Sequence, residues 1–381
     1  MKIVADHKIP FLRGALEPFA DVVYLPGDAI APSDLADADA ILTRTRTRCD
    51  AALLGGSRVR LIATATIGYD HIDTAYCEAS GIRWINAPGC NAASVQQYIA
   101  AAIVTWVNAR GLRLQNLTLG VVGVGNVGSQ VAKAGAALGM RVLRNDPPRA
   151  DREGAETFTP LEELLGQSDI VTCHTPLTRD GLYPTYHLAS GAFFAQMKAR
   201  ALYINSSRGA VADTAALKRA LQTRLSACIL DVWEGEPTID SELLEKAFIG
   251  TPHIAGYSCD GKANGTAACV REAGRFFGLD IPPDWYPAAV PPPPMPATLH
   301  IDCRRKTREQ VFFEAITHTY PVWEDSRMLK QSPGSFERLR GDYRIRREFG
   351  SFSLHLNQAD GTTVDALQAL GFKINGNTES I

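Results

Sequence analysis

The sequence predicts an α/β fold built on parallel sheets, and three observations carry that prediction. Short apolar runs alternate with helical stretches along most of the chain, which is the βαβ arrangement. These runs lack polar–apolar alternation, as strands do when helices cover both faces of their sheet. One of them, residues 117–122, leads straight into Gly123-Val124-Gly125-Asn126-Val127-Gly128 and an alanine-rich helix. At 381 residues the chain exceeds one core, so two or three domains are expected.

In chain order, residues 2–5, 40–43, 60–65 and 82–85 read as strands, with helical stretches at 10–20 and 74–80. A long apolar helix at 94–110 opens a second series. Its strands are 117–122, 141–144, 170–175, 201–205, 227–231 and 248–250, with a helix at 214–222 among the connections. A helix at 259–277 follows. Residues 281–296 then contain eight prolines, among them four in a row at 291–294. That density continues neither a helix nor an inner strand and reads as a stiff linker. Beyond it, helices at 309–317 and 363–370 and alternating runs at 343–348 and 351–356 predict a small α+β appendage.

Composition excludes several classes. With 39 Lys+Arg against 41 Asp+Glu, the net charge of −2 gives no bulk positive field for nucleic acid or an anionic membrane. No apolar run approaches the ~18 residues of a spanning helix. Asp6 interrupts the N-terminus before a secretory apolar region forms, so a cytoplasmic protein is expected. The eight cysteines form no CxxC pair, which predicts reduced thiols and no metal site.

The glycine turn has the context that gives such a motif meaning. Gly123 allows a tight turn, Gly125 lets a pyrophosphate approach the backbone, and Gly128 lets helix and strand pack closely. Asn126 and Val127, at the helix start, present free N–H groups to phosphates. Asp146 ends the next strand, eighteen residues after Gly128, where a carboxylate accepts from ribose hydroxyls and repels a 2′-phosphate. NAD is therefore expected over NADP, although Arg144 and Arg149 stand close by.

Three later strands each deliver one charged or titratable residue just past their ends: Arg208, Glu236 and His253. Ligands bind at the carboxyl ends of strands in open α/β sheets. An imidazole suits the removal of a hydroxyl proton, an adjacent carboxylate holds and stabilises it, and a guanidinium grips a substrate carboxylate in two-point fashion. That set fits oxidation of an alcohol beside a carboxylate, the hydride passing to a nicotinamide.

These segments resemble the D-isomer-specific 2-hydroxyacid dehydrogenase family over roughly residues 1–277. The resemblance implies Arg208 as carboxylate anchor and orienter of hydride transfer, Glu236 as partner of the base, and His253 as the acid/base. It also implies that Thr175, Ser206, Ser207, Asp231 and Gly256 line the nicotinamide side. In this family the nucleotide domain interrupts the substrate domain. The implied fold class is a doubly wound, parallel-sheet NAD-binding domain (93–256) inserted in a smaller flavodoxin-like α/β substrate domain (1–92 and 257–281). A proline-rich linker (282–298) and a C-terminal α+β dimerisation domain (299–381) complete it.

Within the family, Leu35-Ala-Asp-Ala-Asp-Ala40, Thr64-Ala-Thr66, Ala87-Pro-Gly-Cys-Asn-Ala92 and Asp146-Pro-Pro-Arg-Ala-Asp151 are similar to a member with a C-terminal dimerisation domain that most relatives lack. This implies substrate contacts at Thr45, Thr66 and Tyr257, a small phosphorylated hydroxy acid as substrate, and a homodimer. Arg44 and Arg46 flank Thr45, and on an ideal strand both share one face, so they are expected to take the phosphate. Another 2-hydroxy acid, 3-phosphoglycerate or glycerate, is the alternative substrate. The basic run Arg304, Arg305, Lys306 and Arg308 leaves a further alternative, an NAD-sensing corepressor-like interaction protein. The apolar stretch 99–107 is expected to bury against a partner subunit.

Overall fold

A computed structural model describes residues 1–378. The chain divides into two units, Met1–Asn91 with Ser258–Pro291, and Ala92–Tyr257 with the chain from Pro292 onward. Residues 379–381 of the expected C-terminal domain lie outside the described residues.

In the first unit, β1 (Lys2–Asp6), β2 (Asp21–Leu25), β3 (Ala40–Thr43), β4 (Leu61–Thr64) and β5 (Arg83–Ile85) form one parallel sheet in the order β2-β1-β3-β4-β5. That order is flavodoxin-like, with its switch point between β1 and β3. The helix Cys259–Phe277 buries Cys269, Val270 and Ala273 against Ile3, Leu42, Leu61 and Ala63 of the sheet. Ser258 caps its start by accepting from the Gly261 N–H, and Gly278, at φ 66°, ends it. The helix expected at 10–20 does not form. Phe11 and Gly14 take positive φ, Pro10 and Pro18 interrupt the ladder, and the segment closes single turns such as Ala15 N to Leu12 O. The edge strand β2, not among the strands expected although Val22-Val23-Tyr24 is a β-favouring run, pairs along the outer side of β1.

In the second unit, β6 (Thr118–Val122), β7 (Arg141–Asn145), β8 (Ile170–Cys173), β9 (Leu202–Asn205), β10 (Ala227–Leu230) and β11 (Ile249–Gly250) form a parallel sheet in the order β11-β10-β9-β8-β6-β7. Chain order reverses between β6 and β8, which places the ligand crevice of a doubly wound sheet there. The inner strands are buried throughout, which accounts for their unbroken apolar runs.

The C-terminal segment belongs to this second unit. The helices expected at 309–317 and 363–370 and the strand expected at 351–356 are present, and β12 (Thr298–Asp302), β13 (Ser353–Asn357) and β14 (Lys373–Thr378) pair in parallel through helical crossovers. Residues 343–348, expected as a strand, form neither strand nor helix. The helix Ala92–Arg110 is buried on nearly every side within the unit, sharing a core with Leu119 and Val131 on one side and Phe312 and Ile316 of the C-terminal helix Arg308–Thr319 on the other. The expectation that residues 99–107 face another subunit is therefore corrected: this chain's own tail covers them. A second tail helix, Val322–Gln331, lies beside the short edge strand β11, where Gly250 N–H donates to Ser326 Oγ at 3.0 Å.

Candidate active site

The glycine turn follows β6 and meets the three demands made of it. Gly123 sits at φ 85°, where a side chain is strained, and a Cβ there would lie 2.8 Å from the His174 carbonyl. A Cβ on Gly128 would lie 1.9 Å from the Gly123 oxygen, so only glycine lets the helix Asn126–Ala137 start this close to the strand. A Cβ on Gly125 would meet nothing within 4 Å: its space is open. Asn126 and Val127 form the first turn of that helix, beside the opening.

Asp146 stands one residue past β7. Its carboxylate accepts from Val124 N at 2.8 Å and from Arg149 N at 3.1 Å, so it ties the glycine turn to the next helix, Pro147–Glu153. Arg149 folds back, its Nη1 donating to the Val124 carbonyl at 2.5 Å, while Glu153 takes its Nε and Nη2. Of the two arginines that left NADP open, Arg149 is thus already engaged by backbone and carboxylate, while Arg144 is exposed.

Two hydroxyls expected at the nicotinamide side lack partners. Thr175 Oγ1, just past β8, and Ser206 Oγ, just past β9, are buried with no hydrogen bond. Buried hydroxyls are normally paired, so these two, with the open glycine turn, fit a dinucleotide laid across the β6–β8 crevice. Neighbouring His174 is half-buried; desolvation pushes its imidazole down to about 3, which keeps it neutral. Ser207 N and Oγ both donate to Asn205 Oδ1, and Asn205 Nδ2 donates to the Arg208 carbonyl. Asn205, not singled out from the sequence, sets the backbone that carries Arg208.

Glu236 and His253 meet. His253 Nδ1 lies 2.8 Å from Glu236 Oε2, and both side chains keep partial solvent access, 29% and 21%. A carboxylate at Nδ1 fixes the proton there and leaves Nε2 as the free acceptor, the tautomer a base needs. The other Glu236 oxygen accepts from Trp233 N at 2.7 Å, so the carboxylate is held at both ends. His253 has φ 57°, a left-handed conformation costing about 1–3 kcal/mol in a non-glycine residue, and such conformations cluster at functional sites.

What holds that conformation is Asp231. Nearly inaccessible just past β10, its carboxylate accepts from Ile254 N and Ala255 N, each at 2.8 Å, and from Thr251 Oγ1 at 2.6 Å, while its carbonyl accepts from His253 N at 2.7 Å. Burial raises its carboxyl, and His253 and these donors oppose the rise. Because Thr251 gives its proton to Asp231, Tyr98 donates to Thr251 Oγ1, at 2.9 Å. Asp231, expected to line the cofactor, thus also clamps the histidine loop, with Gly256 directly after the clamped Ala255.

The loop that carries Arg208 meets the others at its neighbour Gly209. A Cβ on Gly209 would fall 2.0 Å from the Trp233 carbonyl, so the arginine loop lies against the turn that carries Glu236. Trp233 Nε1 donates to Thr251 O at 2.9 Å, linking the same turn to the histidine loop. Arg208 Nη1 donates to its neighbour's carbonyl, Ser207 O, at 2.9 Å. The three loops after β9, β10 and β11 are therefore packed on one another at the carboxyl edge of one sheet. Tyr257 closes this edge, its ring 6.1 Å from Tyr343 and 5.5 Å from the Arg340 guanidinium.

The remaining predicted residues lie in the first unit, also at the carboxyl edge of its sheet. The geometric argument for Arg44 and Arg46 is corrected: β3 stops at Thr43, and residues 44–46 enter a turn, so the two side chains do not share a strand face. Arg44 Nη1 donates to Lys8 O at 3.1 Å across the β1–β3 switch point, and exposed Arg46 lies 3.8 Å from Asp28. Thr45 is exposed on that turn. Thr66 Oγ1 lies 2.8 Å from both Thr64 Oγ1 and Gly68 O, and Thr64 Oγ1 lies 3.1 Å from His71 Nε2. Burial lowers the His71 imidazole. Thr64 and His71 thus orient Thr66, which no spacing in the sequence announces.

Residues 92–255 match the family described as "D-isomer specific 2-hydroxyacid dehydrogenase, NAD binding domain", and residues 292–371 match a domain of unknown function. The chain is 49% identical over 356 residues to the erythronate-4-phosphate dehydrogenase of Bacteroides fragilis, spanning 93% of this chain and 99% of that one. It is 39% identical over 377 residues to the enzyme of that name from Cronobacter sakazakii, spanning 98% of each. Among solved structures it is similar to D-lactate dehydrogenase from Aquifex aeolicus complexed with NAD and lactic acid, with 28% identity, a TM-score of 0.58, and coverage of 74% of this chain and 96% of that one.

Proposed function

Since the chain belongs to the D-isomer specific 2-hydroxyacid dehydrogenase family, we propose that it oxidises 4-phospho-D-erythronate at C2 with NAD, giving 3-hydroxy-2-oxo-4-phosphonooxybutanoate, a step of pyridoxal 5′-phosphate biosynthesis. The 2.8 Å His253–Glu236 pair at the edge of a nucleotide-binding sheet carries the reading. The similarity of nearly the whole chain to erythronate-4-phosphate dehydrogenases supports the choice of acid.

NAD, when bound, accepts the hydride from C2. The glycine turn and the N–H groups of Asn126 and Val127 hold its phosphates, Asp146 the adenosine ribose, and Thr175, Ser206, Ser207, Asp231 and Gly256 the nicotinamide end. Arg208 grips the substrate carboxylate and so aligns C2. His253 Nε2 takes the C2 hydroxyl proton, and Glu236 stabilises the resulting imidazolium. To the rest of the substrate we assign Thr45, Thr66 and Tyr257, with Arg44 and Arg46 for the phosphate.

An absorbance assay for NADH on the purified protein tests this. Turnover of 4-phospho-D-erythronate well above that of 3-phosphoglycerate or glycerate is expected, and faster oxidation of 3-phosphoglycerate would reverse the assignment. Asp146→Ala is expected to raise the Kd for NAD about tenfold, to narrow the preference over NADP, and to cost about 1 kcal/mol of stability through the lost helix cap. Titration with both cofactors checks it; an unaltered preference would dismiss the ribose role.

We further propose a cytoplasmic homodimer joined through the C-terminal segment. The stacked rings of Phe313 and partly exposed Trp323, 6.0 Å apart, supply apolar surface there. Sedimentation equilibrium should return twice the chain mass; a single chain mass at micromolar concentration would end that reading.

A further inference from the structure

The tail contains one arginine whose burial the fold alone does not explain. Arg346 is 2% exposed, and its guanidinium lies 4.5 Å from the Tyr320 ring and 5.8 Å from the Tyr343 ring. Both phenols donate to Asp325 Oδ2, at 2.8 and 2.6 Å, and Asp325 is also paired with Arg344 at 3.1 Å. Arg346 itself makes one hydrogen bond of good geometry, from Nη2 to the Ala255 carbonyl at 2.5 Å, while its Nε and Nη1 have no partner. Two ring faces and nearby Asp325 favour the charge while Nε and Nη1 stay without partners, so an apolar side chain of similar volume is expected to change stability little.

The one acceptor it does hold is informative. Ala255 is two residues from His253 in the segment that follows β11. Asp231 takes the N–H groups of Ile254 and Ala255 from one side, and Arg346 takes the Ala255 carbonyl from the other. The strand leading into this segment has only two residues and is an edge, and its Gly250 N–H is held by Ser326 of the tail. The left-handed turn at His253 thus hangs between a nucleotide-domain carboxylate and tail side chains.

We propose that Arg346 is a positioning residue for the reaction: through the Ala255 carbonyl it fixes the loop that presents His253, so the tail takes part in setting the geometry of proton transfer. The proposal rests on the assignment of His253 as the base. It gives the tail a second role beside any role in assembly. Ser326 supports the same loop one step upstream.

Arg346→Met, which keeps the volume and removes the charge, is the test, with Arg346→Lys as the conservative companion. The methionine variant is expected to show an unchanged or raised Tm, a Kd for NAD within about twofold of the parent, and a kcat at least about tenfold lower on whichever hydroxy acid the parent oxidises, with lysine restoring part of the loss. Hydrogen exchange should quicken in peptides spanning residues 249–257 and stay unchanged across the glycine turn. A kcat within about twofold of the parent in the folded variant, or unaltered exchange at 249–257, would overturn the proposal. So would loss of NAD affinity, Tm and kcat together, since that is the pattern of general damage. Should the parent oxidise no hydroxy acid, the functional reading fails, and the exchange measurement still decides whether Arg346 holds the loop. If methionine prevents folding, lysine carries the same readouts.

Discussion

His253→Ala should lower kcat by about 10²–10⁴, the usual worth of a positioned general base, while leaving the Kd for NAD nearly unchanged. The ring is disposed as a base needs: its Nδ1 is committed to Glu236, which leaves Nε2 as the acceptor, and it keeps partial access to solvent. Steady-state kinetics with cofactor titration separates the outcomes. A kcat within about threefold of the parent would remove His253 from the chemistry, whatever the family. Alanine also relieves little of the left-handed strain, so stability is expected to change by less than about 1 kcal/mol.

The second large effect is expected from Arg208→Lys, a substitution that keeps the charge. Lysine cannot offer two parallel N–H groups to a carboxylate, so kcat/KM should fall about 10–100-fold, from the loss of one charge-assisted hydrogen bond and of the alignment it gives C2. The NADH assay across substrate concentrations checks it. Gly209, wedged against the Trp233 carbonyl, keeps the loop itself in place in the variant. A lysine enzyme with unaltered kcat/KM would show that Arg208 does not grip the acid in two-point fashion.

These residues were legible in the sequence for a physical reason. A parallel sheet delivers its loops to one edge, so a glycine turn after β6 and charged residues after β9, β10 and β11 share a neighbourhood before any coordinate is known. The parts that were not legible depend on tertiary contacts. Asp231 reads as one more acid at a strand end, yet its work is to hold two backbone N–H groups of a loop more than twenty residues on. Arg346 sits in a stretch whose alternation suggested a strand; its neighbours Arg344 and Tyr343 instead satisfy Asp325 and Glu324 across the tail. The turn at 44–46 shows the reverse error, a local rule carried past the end of its strand at Thr43. The helix expected at 10–20 failed where positive φ at Phe11 and Gly14 overrode an apolar pattern.

The all-round burial of the helix Ala92–Arg110 limits how this protein can be taken apart. Its apolar surface is shared between the nucleotide-binding layer and Phe312 and Ile316 of the last hundred residues. Cutting the gene back to the length of tail-less relatives would strip that helix bare, and a minimal version would have to repaint it with polar side chains first.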